Sequence, residues 1–227
     1  MTEHIVAIDG PAGSGKSSVS RDVAQRLSWI MLDTGAMYRA ITWAVLEAGI
    51  DPDNSRGVAD IADRVNVVIT TRPDQASISV DSIDVTTAIR SPEVTEAVSA
   101  VSAVQQVRER LVDIQRSTVA SSQLGVVIEG RDIGTVVLPH APLKIYLTAD
   151  PRVRALRRSA ELGAALTESD IEAMEKALTE RDSKDSSREL SPLKAAPDAL
   201  VIDTTDMTQP EVVSLIIARA REVYSLP

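Results

Sequence analysis

The chain reads as an α/β protein: a doubly wound, five-stranded parallel sheet carrying a small antiparallel insert and a helical lid. Three observations predict it. Short Val- and Ile-rich segments recur without clean polar alternation, as strands covered on both faces should. Helical patterns lie between them, and strand–helix alternation builds parallel sheets. One strand-to-helix junction also holds a glycine-rich turn, Gly10-Pro-Ala-Gly-Ser-Gly-Lys-Ser17.

The elements follow in order. The expected core strands are Ile5–Asp9, Trp29–Asp33, Val126–Glu129, Leu143–Thr148 and Leu200–Asp203. The expected helices are Lys16–Leu27, Ala36–Glu47, Val104–Ser122 and Pro210–Tyr224. Residues 65–90 break the alternation with short strands over 65–71, 77–80 and 83–85, and Arg72-Pro-Asp-Gln75 supplies turn chemistry between the first two. Residues 151–190 form a long helical crossing whose polar end, Asp182–Arg188, is expected to be mobile. Long insertions in compact α/β domains are often movable lids. The core then comprises 1–64, 91–150 and 191–227, and all 227 residues fit one domain.

Composition narrows the class. With 44% apolar and 25% charged residues the chain has the balance of a soluble globular protein. It has no Phe, two Trp and three Tyr, so the core must come from Val, Ile, Leu and Ala. The absence of Cys excludes disulfides, thiolate zinc sites and thiol nucleophiles. His4 and His140 cannot build a metal site alone. No signal-peptide pattern or membrane-length apolar run is visible, so a reducing cytoplasm is expected. The net charge of −9 argues against nucleic acid or anionic membrane as a partner through overall charge. Residues 51–100 alone carry four basic and nine acidic side chains. No long exposed apolar stripe demands a partner, and a monomer is expected.

The glycine-rich turn fits G-x-x-x-x-G-K-[ST], and its place between strand and helix is the context of a P-loop. Its glycines let backbone N–H groups curl around phosphate oxygens, and the helix N-terminus adds positive charge there. Gly10, Pro11, Ala12, Gly13, Ser14, Gly15, Lys16, Ser17 and Ser18 are therefore the candidate ATP-binding residues. Lys16 can reach the β- and γ-phosphates, and the Ser17 hydroxyl can ligate Mg²⁺. A guanine-reading N-K-x-D motif is absent, and the third strand ends in Glu129 rather than in Asp-Asp or Asp-Glu. A small-molecule kinase needs an acceptor site facing the P-loop and flaps that exclude water, which the two excursions offer.

Arginine outnumbers lysine 19 to 5. Arg39 follows Asp33-Thr-Gly-Ala-Met-Tyr38, and Arg131 lies in Glu129-Gly-Arg-Asp132, just past the carboxyl end of a strand, where open α/β sheets bind ligands. Arg154, Arg157 and Arg158 share a helix face by their spacing, as do Arg181, Asp185 and Arg188. Guanidinium forks match phosphate oxygens in a bidentate way. Arginines converging on a P-loop suit transfer between two phosphates.

With these residues the chain resembles the bacterial cytidylate kinase ((d)CMP kinase) family of nucleoside monophosphate kinases. The resemblance spans nearly the whole chain. It rests on the P-loop through Ser18, Leu32-Asp-Thr-Gly-Ala-Met-Tyr-Arg39, Ile89-Arg-Ser-Pro-Glu-Val94, Glu129-Gly-Arg-Asp-Ile-Gly-Thr-Val-Val137 and Arg181-Asp-Ser-Lys-Asp-Ser-Ser-Arg188. The insert over 65–90 matches that family's monophosphate-binding insert. Leu138 stands where Phe is common, and Lys184 where some members have Arg.

The resemblance implies roles residue by residue. Thr34, Tyr38, Arg39 and Arg131 would hold the CMP phosphate and its surroundings. Ser99, Arg108 and Asp132 would read cytosine, whose exocyclic amine a carboxylate can accept. Arg181 and Asp185 would address the sugar and Arg188 the phosphates. Arg154, Arg157 and Arg158 would serve as lid arginines near the transferring phosphoryl group, with Lys16 and Arg131 as their catalytic partners. The implied reaction moves the γ-phosphoryl group of ATP, with Mg²⁺, to CMP or dCMP. The rivals are an adenylate-, thymidylate- or shikimate-type kinase, and a nucleotide-dependent switch.

Overall fold

The computed structural model describes residues 4–162 and 167–226. Residues 1–3, and the stretch 163–166 of the expected lid, lie outside the described residues. In chain order the elements are β1 (Ile5–Asp9), α1 (Lys16–Leu27), β2 (Ile30–Asp33), α2 (Thr34–Glu47), α3 (Ser55–Arg64), β3 (Val67–Ile69), β4 (Ile78–Val80), β5 (Ile83–Asp84), α4 (Pro92–Val101), α5 (Gln105–Ser121), β6 (Val126–Gly130), β7 (Leu143–Thr148), α6 (Pro151–Leu162), α7 (Glu168–Ser186), β8 (Leu200–Asp203) and α8 (Gln209–Tyr224). A short 3₁₀ turn covers Ala88–Arg90, and one wide turn covers Ile133–Val137.

The main sheet has the order β2-β6-β1-β7-β8, and every neighbouring pair is parallel. The chain lays β2 and β6 on one side of β1 and β7 and β8 on the other. Such a reversal opens a crevice at the carboxyl ends of the central strands, and the P-loop follows β1 into it. Strand side chains alternate between two apolar clusters. Ala7 and Ile128 face the cluster built with α2 and α5, around Met37, Ile41 and Leu111. Val6, Ile8 and Val127 face the cluster built with α1 and α8, around Val23, Val213 and Ile216. The core is aliphatic, as the missing Phe requires.

The insert is a three-stranded antiparallel sheet in the order β3-β4-β5. Val67, Ile78 and Val80 pack into the same cluster as α2, so the insert rests on the sheet's helical cover.

Several sequence expectations shift. The strand expected from Trp29 begins at Ile30, because Ser28 ends α1 in a left-handed conformation (φ 56°). Helix α2 begins two residues earlier than Ala36, with the Asp33 carboxylate accepting from Ala36 N–H at 2.9 Å. Helices α3 and α4 fill stretches that carried no helical expectation; Asn54 and Ser91 cap them by accepting from Gly57 N–H and Val94 N–H. The largest correction concerns Asp182–Arg188. Its first five residues are the last turn of α7, and Asp185 among them is buried while Ser183, Lys184, Ser186 and Ser187 are exposed, so the stretch is helical and anchored at one position. No helix among the described residues is long and apolar enough to cross a membrane.

Gly10 makes the P-loop's approach to the sheet possible. Its φ is +148°, and a Cβ there would lie 2.1 Å from the Leu147 carbonyl oxygen in β7. Backbone on both sides leaves no side chain to yield. Gly10→Ala should therefore lower the unfolding free energy by about 2–3 kcal/mol in a urea titration; an unchanged midpoint would show that the loop does not press on β7.

Candidate active site

The loop Gly10–Gly15 joins β1 to α1 and is held by cations that reach its carbonyls. Lys16 Nζ donates to Pro11 O at 2.8 Å, Arg131 Nη1 to Gly10 O at 2.7 Å and Arg154 Nη1 to Ala12 O at 3.0 Å. Gly13 adopts φ +74°, and a Cβ there would press at 3.0 Å on the backbone of Arg154 in α6. Helix α6 thus lies directly on the P-loop. Asp182 of α7 completes the contact: its carboxylate accepts from Ala12 N–H at 3.2 Å and pairs with Arg154.

Beneath the loop, Ser17 Oγ donates to Glu129 Oε1 at 2.6 Å. Glu129 is the last residue but one of β6, and Thr34 Oγ1 donates to its carbonyl at 2.7 Å. Burial, and next the Asp33 carboxylate, push the Glu129 carboxyl well above its ordinary range. Burial, and next Arg131, pull Lys16 below its own. A hydroxyl beside two crowded carboxylates is a hard-oxygen set that suits Mg²⁺ arriving with phosphates and water. Among the described residues no cluster of three or more His, Asp or Glu forms a metal cage by itself.

Asp9, at the end of β1, accepts from Ile133 N–H and Gly134 N–H, each at 2.8 Å. Those bonds pin the wide turn, where Leu138 N–H reaches Ile133 O at 2.7 Å. Wide turns of this kind concentrate at functional sites. This one fixes the residues after β6, Arg131 and Asp132.

Arg131 stands at the junction. Besides Gly10 O, its Nε meets Asp185 Oδ2 at 3.2 Å, and its Nη1 lies 4.0 Å from Asp182. Asp185 also accepts from Arg188 Nη2 at 2.5 Å and Ser99 Oγ at 3.3 Å. Arg188 donates on to Ser102 Oγ at 2.8 Å. Arg108 and Asp132 form a buried ion pair, and the Arg108 guanidinium lies 5.5 Å from the centre of the Tyr38 ring. Burial raises the Asp132 carboxyl, which Arg108 opposes. Burial pushes the Tyr38 phenol up to about 12. Arg39 donates to Thr95 Oγ1 at 2.9 Å and to Ile89 O at 3.2 Å.

The structure thus gathers Lys16, Ser17, Thr34, Arg131, Arg154, Arg181, Asp185 and Arg188, and sets Tyr38, Arg39, Ser99, Arg108 and Asp132 on the flanking helices and turn. Burial first, and neighbouring arginines next, pull Arg39 to about 10 and Arg181 to about 9. Both still hold their proton at neutral pH, and an arriving anion relieves that crowding. Arg157 departs from the expectation that three lid arginines face the transferring group. Its Nη1 and Nη2 donate to Thr204 Oγ1 at 2.8 Å and Thr204 O at 2.6 Å, bracing the end of β8. Arg158 lies near enough to Arg39 to depress it.

Sequence reasoning missed Asp9, Glu129 and Asp182 as site residues. Asp9 ends β1, Glu129 stands one residue before the end of β6 and Asp182 is in the last turns of α7, but carboxylates near strand ends are also ordinary turn residues. A cleft of about 640 Å³ opens beside α4, lined by Glu93, Glu96, Ser99, Lys184 and Arg188 among others. It shares only Ser99 and Arg188 with the assembled residues, and its acidic wall does not suit a phosphate.

Asp9 gives a pH signature. Burial raises its pKa from 3.8 to about 6, against its two backbone hydrogen bonds. Between those values the folded state holds the proton more tightly than the unfolded one, so stability falls as pH rises through the window. The displacement corresponds to at most about 3 kcal/mol. Asp9→Asn should therefore gain on the parent in unfolding free energy between pH 4 and pH 7. A constant difference across that range would show that Asp9 is already ionised at pH 4.

Comparison with known proteins gives the family. The cytidylate kinase family model matches residues 6–222. The cytidylate kinase of Streptomyces avermitilis is 49% identical over 218 residues, covering 96% of this chain and 93% of its own. That of Mycolicibacterium paratuberculosis is 52% identical over 209 residues, covering 92% and 91%. In fold alone, an uncharacterised protein from Eubacterium ventriosum superposes with a TM-score of 0.54 at 16% identity, covering 97% of this chain and 99% of that one. A match of that extent, on a chain whose P-loop, arginines and buried carboxylates converge on one crevice, means that this chain belongs to the cytidylate kinase family.

Proposed function

We propose that the chain transfers the γ-phosphoryl group of ATP to CMP or dCMP, giving ADP and CDP or dCDP. The observation that carries this reading is the placement of Arg131. One guanidinium touches the P-loop carbonyl of Gly10 and the buried Asp185, so it lies between the triphosphate cradle and the residues assigned to the acceptor.

The P-loop amides and Lys16 cradle the triphosphate, and the Ser17 hydroxyl, with Glu129 and Asp33 behind it, would hold Mg²⁺. The metal supplies charge neutralisation at the phosphates. Arg39, Arg131 and Arg188 hold the acceptor phosphate, with Thr34 and Tyr38 at its margin. That phosphate is largely ionised at neutral pH, its second pKa being about 6, so no general base is needed. Catalysis rests on alignment and on charge stabilisation by Lys16, Arg131 and the lid arginines Arg154 and Arg158.

Ser99, Arg108 and Asp132 read the base. The Asp132 carboxylate accepts from the cytosine amine, whereas uracil would present an oxygen to it and leave buried groups unpaired. Arg181 and Asp185 address the sugar. The acceptor-binding insert over 65–90 and the lid over 151–190 close on a single kinase domain. In this reading the enzyme works on free nucleotides in the cytoplasm as a monomer, apart from nucleic acid and membrane. The net charge of −9 supports the absence of polyanionic partners.

A coupled assay over CMP, dCMP, UMP and AMP tests the reading. The parent should favour CMP and dCMP, and Arg131→Ala should lower kcat by about 10²–10³-fold with its far-ultraviolet circular dichroism unchanged. Preference for AMP, or a variant working at the parent rate, would defeat the assignment.

A further inference from the structure

The wide turn Ile133–Val137 directly follows Asp132, and it cannot hold itself. It is a single turn of a rare kind, so its first N–H groups and last carbonyls have no partner within it. Both ends are closed from outside, each by a charge of the favourable sign. At the amino end the buried Asp9 carboxylate accepts from Ile133 N–H and Gly134 N–H. At the carboxyl end Arg116 of α5 lays one edge of its guanidinium on two consecutive carbonyls. Its Nε donates to Val137 O at 2.9 Å and its Nη2 to Val136 O at 3.0 Å. A planar fork suits that double contact, and an ammonium does not reproduce it.

Packing does not account for Arg116. Helix α5 is already anchored through Leu111, Val112 and Val119, and the turn through Ile133 and Val137, all in one apolar cluster. Arg116 itself is exposed. What its fork fixes is the seat of the turn against the helix. The same helix grips the other end of the turn two helical turns earlier, about 12 Å along its axis, where Arg108 is ion-paired with Asp132. The two ends are also tied to each other. The Asp132 carbonyl accepts from Val136 N–H at 2.8 Å and Val137 N–H at 3.2 Å. Val136 and Val137 therefore each give an N–H to Asp132 and a carbonyl to Arg116, and formed hydrogen bonds run unbroken from Arg116 to the backbone of Asp132.

We infer that Arg116 is a positioning residue of the acceptor site: through Val136 and Val137 it fixes Asp132 opposite Arg108, and so sets the fit of the pocket to the pyrimidine. The inference rests on the function proposed above. Arg116 acts only on the turn's backbone. Its contacts lie on the acceptor side of the sheet, away from the P-loop, so its effect falls on the acceptor and spares ATP.

Arg116→Met in the full chain tests it, since Met keeps an unbranched apolar stem and deletes every donor. The variant should fold, as the change is on an exposed side chain. KM for CMP should rise about fivefold, KM for ATP should stay within about twofold, and the preference for CMP over UMP should fall about threefold. Because the effect runs through Asp132, adding Arg116→Met to Asp132→Asn should cost no further preference for CMP over UMP. A folded Arg116→Met with the parent's CMP kinetics and preference overturns the inference, as does equal loss for CMP and ATP, or a further loss of preference in the double variant. Should the Met variant not fold, Arg116→Lys decides alone, since Lys keeps the charge without the fork: selective loss for CMP upholds the inference, and parent-like CMP kinetics overturn it. The parent's own acceptor preference separates the two readings. A parent inactive on CMP overturns the proposed function, whereas an active parent with unchanged variants overturns only the role of Arg116.

Discussion

Asp185 holds together parts of the molecule that are distant in sequence. It is 2% exposed, yet it meets Arg131 from the sheet edge at 3.2 Å, Arg188 from beyond α7 at 2.5 Å and Ser99 from α4 at 3.3 Å. Its backbone carbonyl accepts from Leu193 N–H at 2.9 Å, where the chain returns toward β8. A carboxylate withdrawn from water costs several kcal/mol unless such a shell compensates it. Helix α7, the edge of the sheet and α4 therefore depend on one another. The arginines stay close together because carboxylates lie among them: Asp185 beside Arg131 and Arg188, Asp182 beside Arg154, Asp132 beside Arg108.

That arrangement explains how an acidic protein serves as a binder of anions. Much of the excess negative charge is on residues 51–100, which build α3, the insert and α4. The cations in the crevice come from the P-loop, α2, the turn after β6, and the stretch around α6 and α7. Burial desolvates Lys16, Arg39 and Arg181, and neighbouring arginines depress each further. Local placement in a low dielectric outweighs a net charge spread over solvated surface.

Much of this was legible in the chain. Strands buried on both faces show as unbroken Val and Ile runs, and the P-loop shows because its geometry demands glycine at set places. The arginines showed because their motifs sit at strand ends and at helical spacing. Helices α3 and α4 carried no expectation although their signals were legible: Val58, Ala59 and Ala62 share one apolar face of α3, and Ser91-Pro92-Glu93 is a helix start. Asp182 and Asp185 were misread in one respect, because a polar run looks solvated until its partners arrive from elsewhere in the chain. Only tertiary structure brings Ser17 to Glu129, 112 residues away, or turns Arg157 toward Thr204.

The dependence of the crevice on Asp185 is open to direct measurement by a double-mutant cycle in urea. Arg131→Leu, Asp185→Leu and the double variant would each be unfolded beside the parent. A buried, hydrogen-bonded pair predicts a coupling of about 1.5–3 kcal/mol, with the double variant clearly more stable than the sum of single losses implies. Losses that add to within about 0.5 kcal/mol would contradict it, and would mean that the arginines are assembled by some other contact.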